Sequence, residues 1–381
     1  MTPKLARFVD AQFSGAHACA TPALVFDLDR MRDNFASLRA ALPSAHIYYA
    51  VKANPAAPVL DLLTTLGSRF DAASIAEVRQ CLAAGAPPSA ISFGNTVKKA
   101  SAIAEAHRAG VDLFAFDSRA ELEKIAAAAP GARVFCRLAV SQEGADWPLS
   151  HKFGTDAPTA VALLTQAAQR GLVPYGLSFH VGSQQTGVGA YCNAIGAASL
   201  VFTDLRSRGI DLSMLNIGGG FPVRYREDIP TMGDFGMAIT EALRANFGNH
   251  WPELIIEPGR ALVADAGVVV SEVVLACPRP TDQNRRWVYL DIGRFGGLAE
   301  TEAEAIRYRI TAPGVTGAPQ PAVLAGPSCD GVDVLYRDTD CPLPANLTAG
   351  DYVLIHDTGA YVTSYASQGF NGFAPPEEHY L

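Results

Sequence analysis

His46-Ile47-Tyr48-Tyr49-Ala50-Val51-Lys52-Ala53-Asn54-Pro55 contains an apolar run, Ile47–Val51, that reads as a buried strand and stops at a lysine. The segment Pro55–Leu66 that follows has helical periodicity. Outward from this unit the pattern repeats. Strand-like runs recur at Arg69–Ala72, Ile91–Phe93, Leu113–Phe116, Val134–Leu138, Gly176–His180, Met214–Ile217 and Leu254–Glu257. Ala-rich helical segments lie between them, as at Ile75–Ala84, Ala100–Ala109 and Pro158–Arg170. Eight β/α units in succession predict a (β/α)8 barrel, with a doubly wound open sheet as the structural alternative.

The ends of these strands collect chemistry. Lys52, Asp71, Asn95, Arg137, His180, Gly218-Gly219-Gly220 and Glu257 all fall at or near a strand's C-terminal end. In a barrel those ends form one face, where active sites are built. Only six lysines occur in the chain, and an ammonium closing a buried strand is costly unless the amine has a task. A desolvated lysine has a lowered pKa and can act as a neutral nucleophile.

After residue 261 the helical periodicity fades. Val268–Val274, Trp287–Asp291, Ala322–Ala325 and Tyr352–His356 read as strands separated by Pro- and Gly-containing turns. The β-branched run Ala261–Val270 also reads as strand. The expected organisation is a barrel over 25–261 and an antiparallel sheet domain built from 1–24 and 262–381.

With 381 residues, 49% of them apolar, the chain can bury a large core. A net charge of −8 and the lack of basic runs argue against nucleic acid as a partner. The first residues lack the apolar stretch of a signal peptide, and no segment reads as a membrane span, so no membrane partner is expected. Seven cysteines at scattered spacing show neither a disulfide framework nor a metal pair. These features predict a reduced cytoplasmic protein without a metal.

Several motifs carry chemistry beside a blander reading. Asn216-Ile-Gly-Gly-Gly-Phe-Pro222 exposes backbone N–H groups that a phosphate can approach, or is a flexible turn; it is not a dinucleotide fingerprint. In Glu257-Pro-Gly-Arg260 the carboxylate suits a pyridinium N–H and the arginine a phosphate, against a surface Glu–Arg pair in a turn. His180, in Phe179-His-Val-Gly-Ser-Gln184, suits a general base, a metal ligand or a slab stacked on a ring, against an ordinary core histidine. Cys329, beside Asp330 in Gly326-Pro-Ser-Cys-Asp-Gly331, is a poor nucleophile but a good proton donor as a thiol. Tyr361 and Phe370-Asn-Gly-Phe373 are aromatics whose ordinary role is packing.

Taken in order, these motifs resemble the ornithine/lysine decarboxylases that depend on pyridoxal 5'-phosphate (PLP) and share the alanine-racemase-type barrel, in their short bacterial form. The resemblance runs from about residue 20 to 375. It implies that Lys52 carries the cofactor covalently, His180 stacks on its ring and Glu257 holds the ring nitrogen. It implies further that Ser183, Gly218, Gly219, Gly220, Gly259, Arg260 and Tyr361 bind the cofactor, mostly at its phosphate. Asp71, Glu77 and Arg137 would support the lysine and the ring oxygen. The family's head-to-tail homodimer would send Cys329 and Asp330 into the neighbouring subunit's site. There Cys329 would return a proton to the substrate and Asp330 would hold its distal amine. A second acid is expected from Glu300, Glu302 or Glu304, and Phe370 joins the substrate contacts.

The implied activity is decarboxylation of L-ornithine to putrescine in polyamine biosynthesis. Lysine or dual ornithine/lysine use is the alternative, followed by diaminopimelate; Cys329-Asp330-Gly331 departs from the Cys-Glu-Ser usual for diaminopimelate enzymes. Ornithine and lysine differ by one methylene, worth only about 1–3 kcal/mol of discrimination. A barrel-type racemase and a non-catalytic regulatory homologue are the readings from other classes.

Overall fold

The computed structural model describes residues 1–13, 19–147 and 152–381. The chain divides into two compact units, one comprising 35–222 and 229–259, the other 1–34, 223–228 and 260–381.

The first unit is the closed parallel barrel. Among the described residues its strands are Ala45–Ala50, Arg69–Ala72, Ile91–Phe93, Leu113–Phe116, Arg133–Arg137, Val173–Ser178, Met214–Asn216 and Glu253–Ile256, the last pairing back to the first. Each was expected from sequence to within a few residues. Buried on both faces, they read as short apolar runs rather than alternating ones. Tyr48, Leu113, Ala115, Phe135, Met214 and Ile255 pack together in one buried cluster of this unit.

Helices follow most strands, several with side-chain caps. Ser74 and Ser118 accept the N–H of Glu77 and Glu121, and Thr231 and Asp234 form a reciprocal capping box. One helix bears on the expectation about membrane spans. Val188–Ser207 is long and apolar enough to cross a bilayer by length and composition alone. It is nevertheless a barrel helix, burying Tyr191, Ile195, Phe202 and Leu205, with Phe202 edge-on to Phe247 of the helix Met232–Phe247.

The second unit is a sheet. The 13-residue strand Gly267–Arg279 is its spine, pairing with Ala23–Phe26, Tyr352–His356 and Arg285–Leu290. A register shift between Val273 and Leu275 lets its two halves serve different partners. The sheet is mostly antiparallel, with two corrections. Trp287–Tyr289 runs parallel to Val323–Ala325, and Ala23–Phe26 parallel to Glu377–Tyr380. The run Ala261–Val270 is not all strand: Arg260–Val263 is a helical turn, Ala264–Ala266 a 3-10 turn, and extension begins at Gly267. There the chain passes so close to Gly359 that a Cβ on Gly267 would sit 2.4 Å from its Cα.

Candidate active site

Lys52 lies in a 3-10 turn that directly continues the first barrel strand. Its neighbours Val51, Ala53 and Asn54 are buried, while the lysine itself is exposed, which corrects the expectation of a desolvated amine. The turn is pinned: Tyr49 Oη donates to the Asn54 carbonyl at 3.0 Å, and Ala50 N–H donates to the Pro258 carbonyl at 3.1 Å.

Asp71 is the penultimate residue of the neighbouring strand Arg69–Ala72 and is 5% exposed. Burial and the nearby Glu257 push its carboxyl well above the usual range, while Lys52 and Arg137 pull it back. Its Oδ1 is buried without a hydrogen-bond partner. Gly94 makes room for it, since a Cβ there would fall 1.9 Å from that oxygen. Glu77 is raised by burial and opposed by Lys52; one of its oxygens accepts the Ala73 N–H at the start of its own helix. Burial lowers the Arg137 guanidinium, against the pull of Glu257, Asp117 and Asp71. Asn95 donates to the Ala73 carbonyl at 3.2 Å, tying two strand ends.

His180 is half-buried, and burial, then Arg137 and Lys52, hold its imidazole well below its ordinary pKa. It is therefore neutral at pH 7. Its Nδ1 accepts the Gly182 N–H at 3.0 Å, so the ring proton is on Nε2.

Glu257 is clamped by a residue that was not singled out from sequence. Asn216, 1% exposed, donates through Nδ2 to Glu257 Oε1 and accepts the Gly218 N–H through Oδ1 at 2.8 Å. The glycine run is thus joined to the carboxylate. A Cβ on Gly219 would lie 2.4 Å from the Glu257 carbonyl oxygen and 3.4 Å from His180 Nε2, so this approach requires glycine. Tyr191 Oη donates to the Gly219 carbonyl at 2.8 Å, and its ring stacks on Phe221. Ser183 begins the short strand Ser183–Gln185, and Gln185 N–H holds the Gly220 carbonyl. Gly259 is buried.

The barrel mouth therefore brings Lys52, Asp71, Glu77, Arg137, His180 and Glu257 within electrostatic reach of one another. The remaining site residues belong to the sheet unit. Arg260, 3% exposed, donates to both oxygens of Glu300 at 2.6 and 2.9 Å and to Tyr225 Oη at 2.7 Å. Burial alone would lower this guanidinium, but Glu300 more than reverses it. The Tyr361 ring lies 5.0 Å from Arg260 Cζ, and Tyr361 is held at φ +57°, a strained backbone for a tyrosine.

Two expected substrate acids are committed elsewhere, which corrects their assignment. Glu300 is 2% exposed and paired with Arg260. Glu304 accepts the backbone N–H groups of Arg337, Asp338 and Thr339 at 2.6–2.7 Å. Glu302 is exposed. Cys329 and Asp330 sit in an exposed loop, and Phe370 packs on Phe295 with centroids 4.4 Å apart. Buried Asp333 organises that loop, accepting from Ser328 N, Ser328 Oγ and Arg294 N.

Comparison with known proteins agrees with this chemistry. The family model for the pyridoxal-binding domain of pyridoxal-dependent decarboxylases matches residues 28–264. The lysine/ornithine decarboxylase of Selenomonas ruminantium is 37% identical over 355 residues, covering 93% of this chain and 88% of that one. A solved SrLDC mutant in complex with PLP superposes with a TM-score of 0.89 at 34% identity, covering 100% of this chain and 95% of that one. The lysine/ornithine decarboxylase of Vibrio vulnificus, solved with cadaverine, gives 0.87 at 32% identity, covering 99% and 98%.

The chain belongs to the pyridoxal-dependent decarboxylases. It is an amino-acid decarboxylase whose cofactor is PLP. The residues present fit that group: an accessible lysine, a neutral histidine, an anchored carboxylate, and a glycine run whose close approaches exclude side chains.

Proposed function

We propose that this enzyme decarboxylates L-ornithine to putrescine and CO2 in polyamine biosynthesis, with lysine as the competing substrate. The observation that carries the chemistry is the clamped pair of Glu257 and the glycine run, set beside Lys52 and neutral His180. The choice of substrate is supported by relatives named for ornithine and lysine.

When bound, PLP supplies an electron sink for the pair left behind as CO2 departs. Lys52 is the point of covalent attachment. Glu257, oriented by Asn216, accepts the ring N–H and keeps that nitrogen protonated. His180, its imidazole held below its ordinary pKa by burial, Arg137 and Lys52, would pack against the ring and add no positive charge beside the protonated nitrogen. Gly218, Gly219, Gly220, Gly259, Ser183, Arg260 and Tyr361 bind the cofactor, chiefly at its phosphate. Asp71, Glu77 and Arg137 hold the charge around Lys52 and the ring oxygen. Cys329 returns the proton to Cα, Asp330 takes the distal ammonium, and Phe370 packs along the substrate. We place the functional boundary at 25–261 for the cofactor domain, against 1–24 with 262–381.

The enzyme works as a cytoplasmic homodimer in which Cys329 and Asp330 complete the partner's site. A CO2-release screen over ornithine, lysine, arginine and meso-diaminopimelate with added PLP tests the substrate; faster release from diaminopimelate or arginine than from ornithine overturns it. Mixing Lys52→Ala with Cys329→Ala tests the dimer. Random exchange makes about half the dimers hetero, each with one intact site, so roughly a quarter of wild-type activity returns. Verified heterodimers no better than either parent would mean that each site is built within one chain.

A further inference from the structure

One side chain holds the Cys329 thiol. Asn371 Oδ1 lies 3.0 Å from Cys329 N and 3.3 Å from Cys329 Sγ. A backbone N–H can only donate, so the amide atom facing it is the oxygen. Sulfur facing that same oxygen must then donate as well, which it can do only as S–H.

The rest of the segment holds the amide at that point. Asn371 has φ +51°, a left-handed conformation that asparagine tolerates, between Gly369 at +78° and Gly372 at +77°. Phe370 packs on Phe295, and Ser367 N–H donates to the Phe295 carbonyl at 2.8 Å. Two contacts of this tail therefore fall on the residue 295 loop and two on Cys329.

We infer that Asn371 is a positioning residue for the Cys329 thiol, accepting its S–H and so holding Sγ at one point of the loop until the proton is donated. The inference rests on Cys329 being the proton donor proposed above. In that step CO2 leaves without the bonding electron pair, the Sγ proton forms the new Cα–H bond, and the thiolate regains a proton from water. An acceptor at Sγ keeps the proton in place until then.

The test uses the intact holoenzyme and reads thiol chemistry rather than turnover. Iodoacetamide alkylates thiolate, and the rate at Cys329 is followed by peptide mass spectrometry from pH 6 to 9. Asn371→Gly removes the side chain while permitting the left-handed backbone. It should raise the alkylation rate near neutral pH about two- to fivefold, the worth of one modest hydrogen bond. Asn371→Asp keeps an acceptor and adds negative charge, so its rate should stay at or below wild type. An unchanged rate in Asn371→Gly overturns the inference, as does an Asn371→Asp rate matching Asn371→Gly. Failure of the underlying reading shows separately: full turnover in Cys329→Ala removes the catalytic role and leaves the measured thiol contact standing.

Discussion

The barrel mouth and the loops of the sheet unit hold their polar residues by different means. At the mouth, Lys52, Asp71, Arg137, His180 and Glu257 each hang from a strand end, and the closed ladder of parallel strands sets their spacing. In the sheet unit, Arg260, Glu300, Glu304 and Cys329 are placed by side chains bonding to other loops. Position in the first case follows from topology. In the second it follows from individual hydrogen bonds, so breaking the buried Arg260–Glu300 pair should disturb structure, whereas substitutions at the mouth should disturb chemistry.

Lys52→Ala should lose essentially all turnover and the borohydride-reducible PLP linkage while the melting temperature barely moves, because the residue is exposed and its neighbours carry the packing. A PLP adduct surviving on another lysine would break the assignment. Glu300→Ala should do the reverse. Stranding the Arg260 guanidinium at 3% exposure should cost about 3–5 kcal/mol in denaturant unfolding, as expected when a buried pair loses one partner. A loss under about 1 kcal/mol, the range of exposed ion pairs, would erase the contrast between the regions.

Glu257→Gln should retain PLP and fold but lose roughly 10²–10³ in kcat, the usual cost of removing one preorganised electrostatic contact. Wild-type turnover would sink its role at the ring nitrogen.

The smallest effect sharpens the comparison inside the barrel unit. Lys98 is buried against Glu121 at 3.0 Å and donates to the carbonyls of Asn95 and Ala115. Burial lowers its pKa from 10.5 to about 8. Between those values the unfolded chain binds more protons than the folded one, so this group's contribution to stability rises with pH. The slope is at most about 1.4 kcal/mol per pH unit. Lys98→Met should flatten it in urea titrations from pH 7.5 to 10; an identical slope in both proteins would mean that Lys98 does not titrate there.

Much of the barrel was legible because a buried parallel strand leaves a short apolar run, and its first polar residue marks the mouth. Glu257, directly after Leu254-Ile-Ile256, is such a residue, and His180 lies two residues past the end of its own strand. Asn216 closes its strand in the same way, yet Asn216-Ile-Gly-Gly-Gly220 also reads as a flexible turn, and only the hydrogen bond to Glu257 separates the two. The sheet was legible in outline alone. Parallel pairing of Trp287–Tyr289 with Val323–Ala325 depends on contacts across more than thirty residues, which local pattern does not encode. In Glu300-Thr-Glu-Ala-Glu304 the three acids are equivalent as text. A positive φ of +49° at Ala303 helps send one carboxylate to Arg260, one to solvent and one to the backbone of 337–339.

The strand Ala23–Phe26 has a consequence for how the chain is made. All four residues are buried, and their ladder partners are Gly267–Val270 on one side and Glu377–Tyr380 on the other. During synthesis this apolar segment emerges before either partner and waits for some 240 further residues before the nearer one exists. At ribosomal rates that is on the order of tens of seconds. The barrel strands, by contrast, meet most of their neighbours within a few dozen residues. Ala23-Leu-Val-Phe26 is therefore an apolar stretch that stays unpaired until residue 267 is made, and its second ladder cannot form before Glu377–Tyr380 has left the ribosome.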